Sequence, residues 1–299
     1  MPKFTVHETQ CKSLINRVKG MPFNWSINPY RGCRHACVYC YARPTHEYLG
    51  KNGSEEFQEV IFAKVNGPEV VRHELAKRSW SRDLVVVGTA TDPYQQAESR
   101  YQLTRGILEA FRDFHNPVSI TTKSPMVLRD VDVLSELAKH AEVTVHFTVT
   151  TMDESLWRAI EPTTAKPHKR LEAMQVLRQH GIRSGVFLSP VLPGLTDDEA
   201  HLEAVIKGAA DHGAQFVFSN VLRLGPGISE HYLPFIEREF PHLKNRYAEM
   251  YRRNSAPSAY SDKIAARVRN LKEQHGMIDE PAHAKYERKH PPLQMTLFG

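Results

Sequence analysis

Short runs of β-branched and aromatic residues recur along the first three quarters of the chain, and longer segments with apolar residues three or four apart lie between them. The runs are FNWSINPY from Phe23, DLVVVGTA from Asp83, PVSITT from Pro117, EVTVHFTVT from Glu142, IRSGVFLSP from Ile182 and AQFVFSNVL from Ala214. The helical period is carried by PEVVRHELAKRSW from Pro68, RYQLTRGILEAFRDF from Arg100, VDVLSELAKHA from Val131, KRLEAMQVLRQHG from Lys169 and DDEAHLEAVIKGAADHG from Asp197. Near-continuous apolar strands alternating with helices predict an α/β chain whose parallel sheet is covered on both faces. Six such strands fit an open doubly wound sheet or a (β/α) barrel, complete or partial. Either places the chemistry at the C-terminal strand ends.

After Pro226 the pattern becomes helical only, in ISEHYLPFIEREF and SDKIAARVRNLKEQHG, and the chain closes on KHPPLQMTLFG. The expected divisions are an N-terminal extension over 1–22, a core over 23–226, a helical basic region over 227–290 and a flexible tail over 291–299. Charge sharpens this picture. Residues 241–299 hold eleven Lys and Arg against six Asp and Glu, a balance of +5 that equals the whole chain's net charge, so residues 1–240 are neutral. That asymmetry suits contact with a polyanion as well as it suits a solvated helical surface. A composition of 41% hydrophobic and 24% charged residues is that of a globular protein. No apolar run reaches membrane-spanning length and MPKFTVHETQCKSL has no signal-peptide core, so a cytoplasmic location is expected.

Three of the four cysteines, Cys33, Cys37 and Cys40, fall within the loop NPYRGCRHACVYCYAR that follows the first strand candidate. A disulfide scaffold of this size would not cluster its thiols so, and the spacing C-x3-C-x2-C reads as metal ligation. Zinc in a structural site wants four protein ligands, and His35, the one local addition, sits between the cysteines with little freedom to join them. Iron and sulfur fit better: three thiolates hold three irons of a four-iron cluster and leave the fourth open for chemistry. The isolated Cys11 reads as a small buried hydrophobe.

With Tyr39 just before the last ligand, this loop resembles the signature of the radical S-adenosylmethionine (radical SAM) superfamily. The flanks, with His35 before the second ligand and tyrosines on both sides of Cys40, resemble its spore photoproduct lyase-like branch, the group related to DNA repair photolyases. VVVGTATDPYQQAE, TTKSP, WRAIEPTTAKPHKRLEA and SPVLPGLTDD resemble the same branch. The resemblance implies a partial (β/α)6 TIM-like barrel with a helical C-terminal extension. It also implies a 4Fe-4S cluster on Cys33, Cys37 and Cys40, an external electron donor, and reductive cleavage of SAM to methionine and a 5′-deoxyadenosyl radical. Carried over by position, Thr91 and Asp92 match the grip on the SAM amino group, Lys123 and Thr150 face its carboxylate and amino end, and Ser189 lies near its ribose and adenine. Each is also a residue type that caps or turns at a strand end. Glu161 and Arg170 read as a structural pair.

Tyr39 and Tyr41 fall where the lyase's tyrosines are implicated in binding and hydrogen-atom relay, although an aromatic packed on a cluster would look the same. The resemblance breaks at the lyase's hydrogen-donating cysteine, where this chain has Thr89 or Ala90. A hydroxyl holds its hydrogen too tightly to quench a carbon radical, so repair by that route is not expected unless Cys11 folds back into the site. The expected activity is a radical SAM enzyme acting on nucleic acid, as DNA repair or base modification. Modification of a protein or small molecule is the rival, and a zinc-stabilised adaptor without catalysis is the alternative of another class.

The tail adds a partner. Gln294, Met295, Thr296, Leu297 and Phe298 are similar to the pentapeptide with which bacterial polymerases and repair proteins dock on the sliding clamp. Leu297 and Phe298 would be its apolar anchors and Gln294 its register mark. An apolar tail packed on its own barrel is the competing account.

Overall fold

The structure is a computed structural model and describes residues 4–278. The main sheet has the order β10-β9-β8-β7-β6-β3-β2. It comprises β2 (Asn16–Arg17), β3 (Trp25–Ile27), β6 (Val85–Val87), β7 (Val118–Thr122), β8 (Val143–Thr148), β9 (Arg183–Val191) and β10 (Val217–Val221). All neighbours from β3 to β10 run parallel, and only β2 joins antiparallel at the β3 edge. The six parallel strands are the six runs read from the sequence. No pairing among the described residues closes β10 onto the far edge, so the fold is the partial (β/α)6 barrel expected.

The connections carry α1 (Glu56–Glu59) and α2 (Gly67–Leu75), then α3 (Glu98–Tyr101) and α4 (Leu103–Phe114), α5 (Val131–Ala138), α6 (Glu154–Ile160) and α7 (Pro167–Gln179), and α8 (Glu199–Asp211). All six residues of β8 and all three of β6 are buried; β6 reads as an unbroken apolar run, while in β8 Thr144, His146 and Thr148 are buried between its apolar residues. Gly88 ends β6 at φ 95°, where a Cβ would stand 2.5 Å from the Thr121 carbonyl oxygen. Only glycine lets the chain turn there into the Thr89–Asp92 segment.

Two features depart from the sequence reading. The helix expected from Arg100 is broken at Gln102 (φ 51°), because the buried Glu98 carboxylate accepts the Thr104 amide at 3.0 Å and the Tyr30 hydroxyl at 2.5 Å, starting a new helix. The first strand candidate divides: Trp25–Ile27 stays in the barrel, while β4 (Tyr30–Arg31) joins β1 (Thr5–Thr9) and β5 (Val60–Lys64) in a small second sheet, β1-β5-β4. These strands are too short for their period to stand out.

The region beyond residue 226 is helical, as the sequence suggested, and carries α9 (Ser229–Glu239), α10 (Lys244–Met250) and α11 (Ser258–Gln274). Of these, α11 places Ile264, Val268 and Leu271 in the main core. Tyr232, Phe235, Ile236, Leu243 and Tyr247 form a second apolar cluster with Leu192, Leu222 and Leu224 of the barrel, and that cluster includes Cys37 and Tyr39. No helix among the described residues is long and apolar enough to cross a membrane.

His231 of α9 reports on this packing. Burial, with the Arg43 and Arg238 cations nearby, lowers its pKa to about 4. An unfolded histidine protonates near its ordinary pKa of about 6.5, so the neutral folded form contributes stability above that value and loses it as pH falls toward 4. The thermal midpoint of His231→Gln should therefore fall less than that of the wild type over this window, as scanning calorimetry at stepped pH will show.

Candidate metal centre at the cysteine loop

The segment Gly32–Arg43 is largely buried, Tyr41 apart, and has neither α-helix nor strand, so its buried backbone groups need partners from elsewhere. Thr91 Oγ1 and Gln95 Nε2 donate to the Gly32 carbonyl at 2.7 and 3.0 Å, and Gln95 Oε1 accepts the Arg34 amide at 2.9 Å. The Cys33 amide donates to the Phe57 carbonyl at 2.9 Å, and the Val38 amide to that of Ile160 at 3.1 Å. Gly32 has φ 76°, and a Cβ there would meet the Val60 carbonyl at 2.7 Å and His46 at 2.9 Å. The first thiol thus follows a residue that must be glycine.

Arg43 closes the loop from below. Its guanidinium, 1% exposed, donates to the Cys37 carbonyl through Nε at 3.2 Å and Nη2 at 3.0 Å, and to the Ser54 carbonyl at 2.6 Å. No carboxylate pairs with it among the described residues. The opposite charges it feels are those of the three cysteine sulfurs, should they ionise.

All three thiols are free, Cys33 and Cys37 buried and Cys40 partly so. Burial, with Asp92 and Cys40 close by, pushes the Cys33 thiol up to about 12, and burial pushes Cys37 up as well. Such thiols are inert as acids and become thiolates when a metal takes the proton's place. The Asp92 amide points at Cys33 Sγ from 3.5 Å, a donor of the kind that stabilises a ligating sulfur. Three free thiols, an aimed amide and an unpaired guanidinium fit a cluster of net negative charge. Cys11 stands elsewhere, its amide and sulfur bonded to Asn66 Oδ1 at 2.9 and 3.4 Å.

Asp92, Lys123 and Thr150 follow β6, β7 and β8, and Ser189 lies in the last three residues of β9, so the parallel register brings them to one rim with the loop. The Asp92 carboxylate accepts from Thr122 Oγ1 and the Lys123 amide, both at 2.7 Å, and from the Tyr94 amide at 2.9 Å. His35 Nδ1 lies 3.2 Å away. Burial alone would raise the Asp92 pKa, but His35 and these bonds bring it down to about 2. The Lys123 ammonium lies 5.7 Å from the Tyr39 ring centroid and has no carboxylate within ion-pair distance among the described residues. Ser189, two residues before the end of β9, is partly buried, and Thr150 is buried.

A sequence profile described as the Radical SAM superfamily matches residues 27–205 of this chain. The chain belongs to the radical SAM superfamily. Its members use a 4Fe-4S cluster and SAM, and the chain is a radical SAM enzyme. An uncharacterised protein of Mycobacterium tuberculosis is 38% identical over 300 residues, covering 98% of this chain and 88% of that one. One of Methanocaldococcus jannaschii is 30% identical over 273 residues, covering 90% and 94%. Among solved structures, a mutant spore photoproduct lyase with bound AdoMet and dinucleoside spore photoproduct is similar at a TM-score of 0.67, with 16% identity, over 90% of this chain and 78% of that one.

Within this radical SAM enzyme Tyr39 is drawn inward. Its hydroxyl donates to Glu161 Oε1 and lies 3.1 Å from Thr150 Oγ1. Glu161 Oε2 accepts Arg170 Nη2 at 2.5 Å, and Arg170 also donates to the Thr148 carbonyl and Thr164 Oγ1 at 2.8 and 2.6 Å. The Glu161–Arg170 pair is therefore structural, as the sequence suggested, and it holds the cysteine loop through Tyr39. Tyr41 is 65% exposed and its hydroxyl donates to the Thr89 carbonyl. Sequence reasoning missed Gln95 and Arg43 because their roles are bonds to backbone, which leave no spacing signature.

Removing one partner of a buried ion pair costs about 3–5 kcal/mol, because the other charge stays desolvated. Glu161→Ala should lower stability by about that amount, and Glu161→Leu combined with Arg170→Met should recover most of it. Denaturant titration of the anaerobic protein measures both.

Proposed function

We propose that this radical SAM enzyme acts on DNA, on a damaged or modified base extruded to the C-terminal mouth of the barrel. The observation that carries the chemistry is the set of three free thiols on one loop, with Lys123 near Cys37 and Arg43 close to all three. The substrate class is supported by the fold shared with a lyase solved around a dinucleoside photoproduct, and by the basic balance beyond residue 240.

Cys33, Cys37 and Cys40 are assigned as the three cluster ligands. When bound, the cluster and SAM supply the reductive cleavage that yields a hydrogen-abstracting 5′-deoxyadenosyl radical. Lys123, a partly buried cation without a carboxylate partner among the described residues, is assigned to the SAM carboxylate, since an unpaired ammonium in such a place favours an anion. Thr91 and Asp92 are assigned to the SAM amino end. The Thr91 hydroxyl is already spent on Gly32, so its contribution is positional, while the ionised Asp92 favours an ammonium through its charge. Thr150 and Ser189 line the same rim. Tyr41, open to solvent, is assigned to the substrate side and Tyr39 to holding the loop.

The lyase's hydrogen-donating cysteine has no counterpart here. Thr89 Oγ1 accepts from Asn28 at 2.9 Å, Ala90 packs against the Cys33 cluster, and Cys11 is held by Asn66. A thiol relay within this chain is therefore not part of the proposal.

Anaerobic reconstitution should load iron at about four per chain in the wild type. Reduction with SAM should then release 5′-deoxyadenosine, and Cys37→Ala should lose both. A chain that takes up zinc alone would overturn the assignment. The clamp-like motif lies outside the described residues, and we propose that it docks the enzyme on the bacterial sliding clamp. Leu297→Ala with Phe298→Ala should abolish binding to immobilised clamp in surface plasmon resonance and leave deoxyadenosine formation unchanged.

A further inference from the structure

We propose that the free edge of the barrel carries a docking recess for the phosphodiester backbone of DNA, an inference that rests on the DNA reading above. Going around the rim, successive strand ends supply Asp92, Lys123, Thr150 and Ser189. The next and last is the end of β10, which has no neighbour on its outer side among the described residues. There a cavity of about 420 Å³ lies between β10 and the first turns of α11. The hydroxyls of Ser219, Ser255, Ser258 and Ser261 line it together with Arg223, and Asp262 is the one acid in its wall.

The neighbouring turn brings more positive charge. Arg223 pairs with Ser255 in an antiparallel bridge and the Leu224 amide donates to the Asn254 carbonyl at 2.9 Å, which fixes Arg252 and Arg253 beside the recess. Arg223, Arg252 and Arg253 are exposed, and none has an ion-pair partner among the described residues. Arg238, Lys244 and Arg246 of the same region face Glu239, Glu237 and Asp197. The turn at Arg252 and Arg253 therefore adds uncompensated positive charge beside the serine-lined recess.

That combination suits a phosphodiester. Guanidinium groups bind phosphate in a bidentate fork and serine hydroxyls donate to its remaining oxygens. Such contacts set register without reading sequence. Three strand spacings of about 4.8 Å separate β10 from β7, so a strand held there lies within a few nucleotides of the Lys123 end of the site.

The test is the salt dependence of binding, by fluorescence anisotropy, of a labelled single-stranded DNA of about 20 nucleotides, since each lost phosphate contact reduces the slope of log K against log salt by about one. Full-length wild type is compared with Arg223→Ala, with Arg252→Ala combined with Arg253→Ala, and with Lys77→Ala, an exposed cation on the strand-start side. The proposal expects a shallower slope and about five- to tenfold weaker binding for each arginine variant at unchanged thermal midpoint, with Lys77→Ala like wild type. Wild-type binding that the arginine variants leave unaltered would overturn the recess and leave the DNA reading standing. Absence of wild-type binding at low salt would remove both.

Discussion

A largely buried loop with neither α-helix nor strand must find partners for its buried backbone polar groups, and this requirement organises the molecule around Gly32–Arg43. Thr91 and Gln95 come from the end of β6, Phe57 from the segment before β5, Ile160 from α6 and Arg43 from the loop itself. The loop is thus held by strands and helices far apart in sequence. The three thiols are carried on a backbone that these bonds hold in place.

The electrostatics follow the same plan. Two buried carboxylates flank the loop, and each is compensated: Asp92 by His35 and three hydrogen-bond donors, Glu161 by Arg170 and Tyr39. Two cations, Arg43 and Lys123, are left without carboxylate partners among the described residues. In a low-dielectric site an uncompensated charge is costly, so the arrangement favours bound groups that bring negative charge.

The helices beyond β10 belong to this site as much as the barrel does. Their apolar face covers Cys37 and Tyr39, and α11 closes the core beside α8 and β10. A radical formed at the rim must be kept from water, and the covering cluster of Tyr232, Phe235 and Leu243 supplies an apolar wall on one side.

The sequence by itself determined the six strands and their parallel sheet, because strands buried on both faces are rich in apolar residues and helices must separate them. It also determined the thiol loop, because cluster ligation demands close spacing. The small second sheet escaped it, since strands of two to five residues show too little period. So did the break at Gln102, which depends on Glu98 meeting Tyr30 across 68 residues. Only tertiary structure decided that Thr91 braces Gly32, that Asp92 is saturated by neighbours, and that Tyr39 turns inward to Glu161 while Tyr41 faces out. A residue's type says which bonds it can form; which bonds it does form depends on what the parallel register and the loop packing bring within reach.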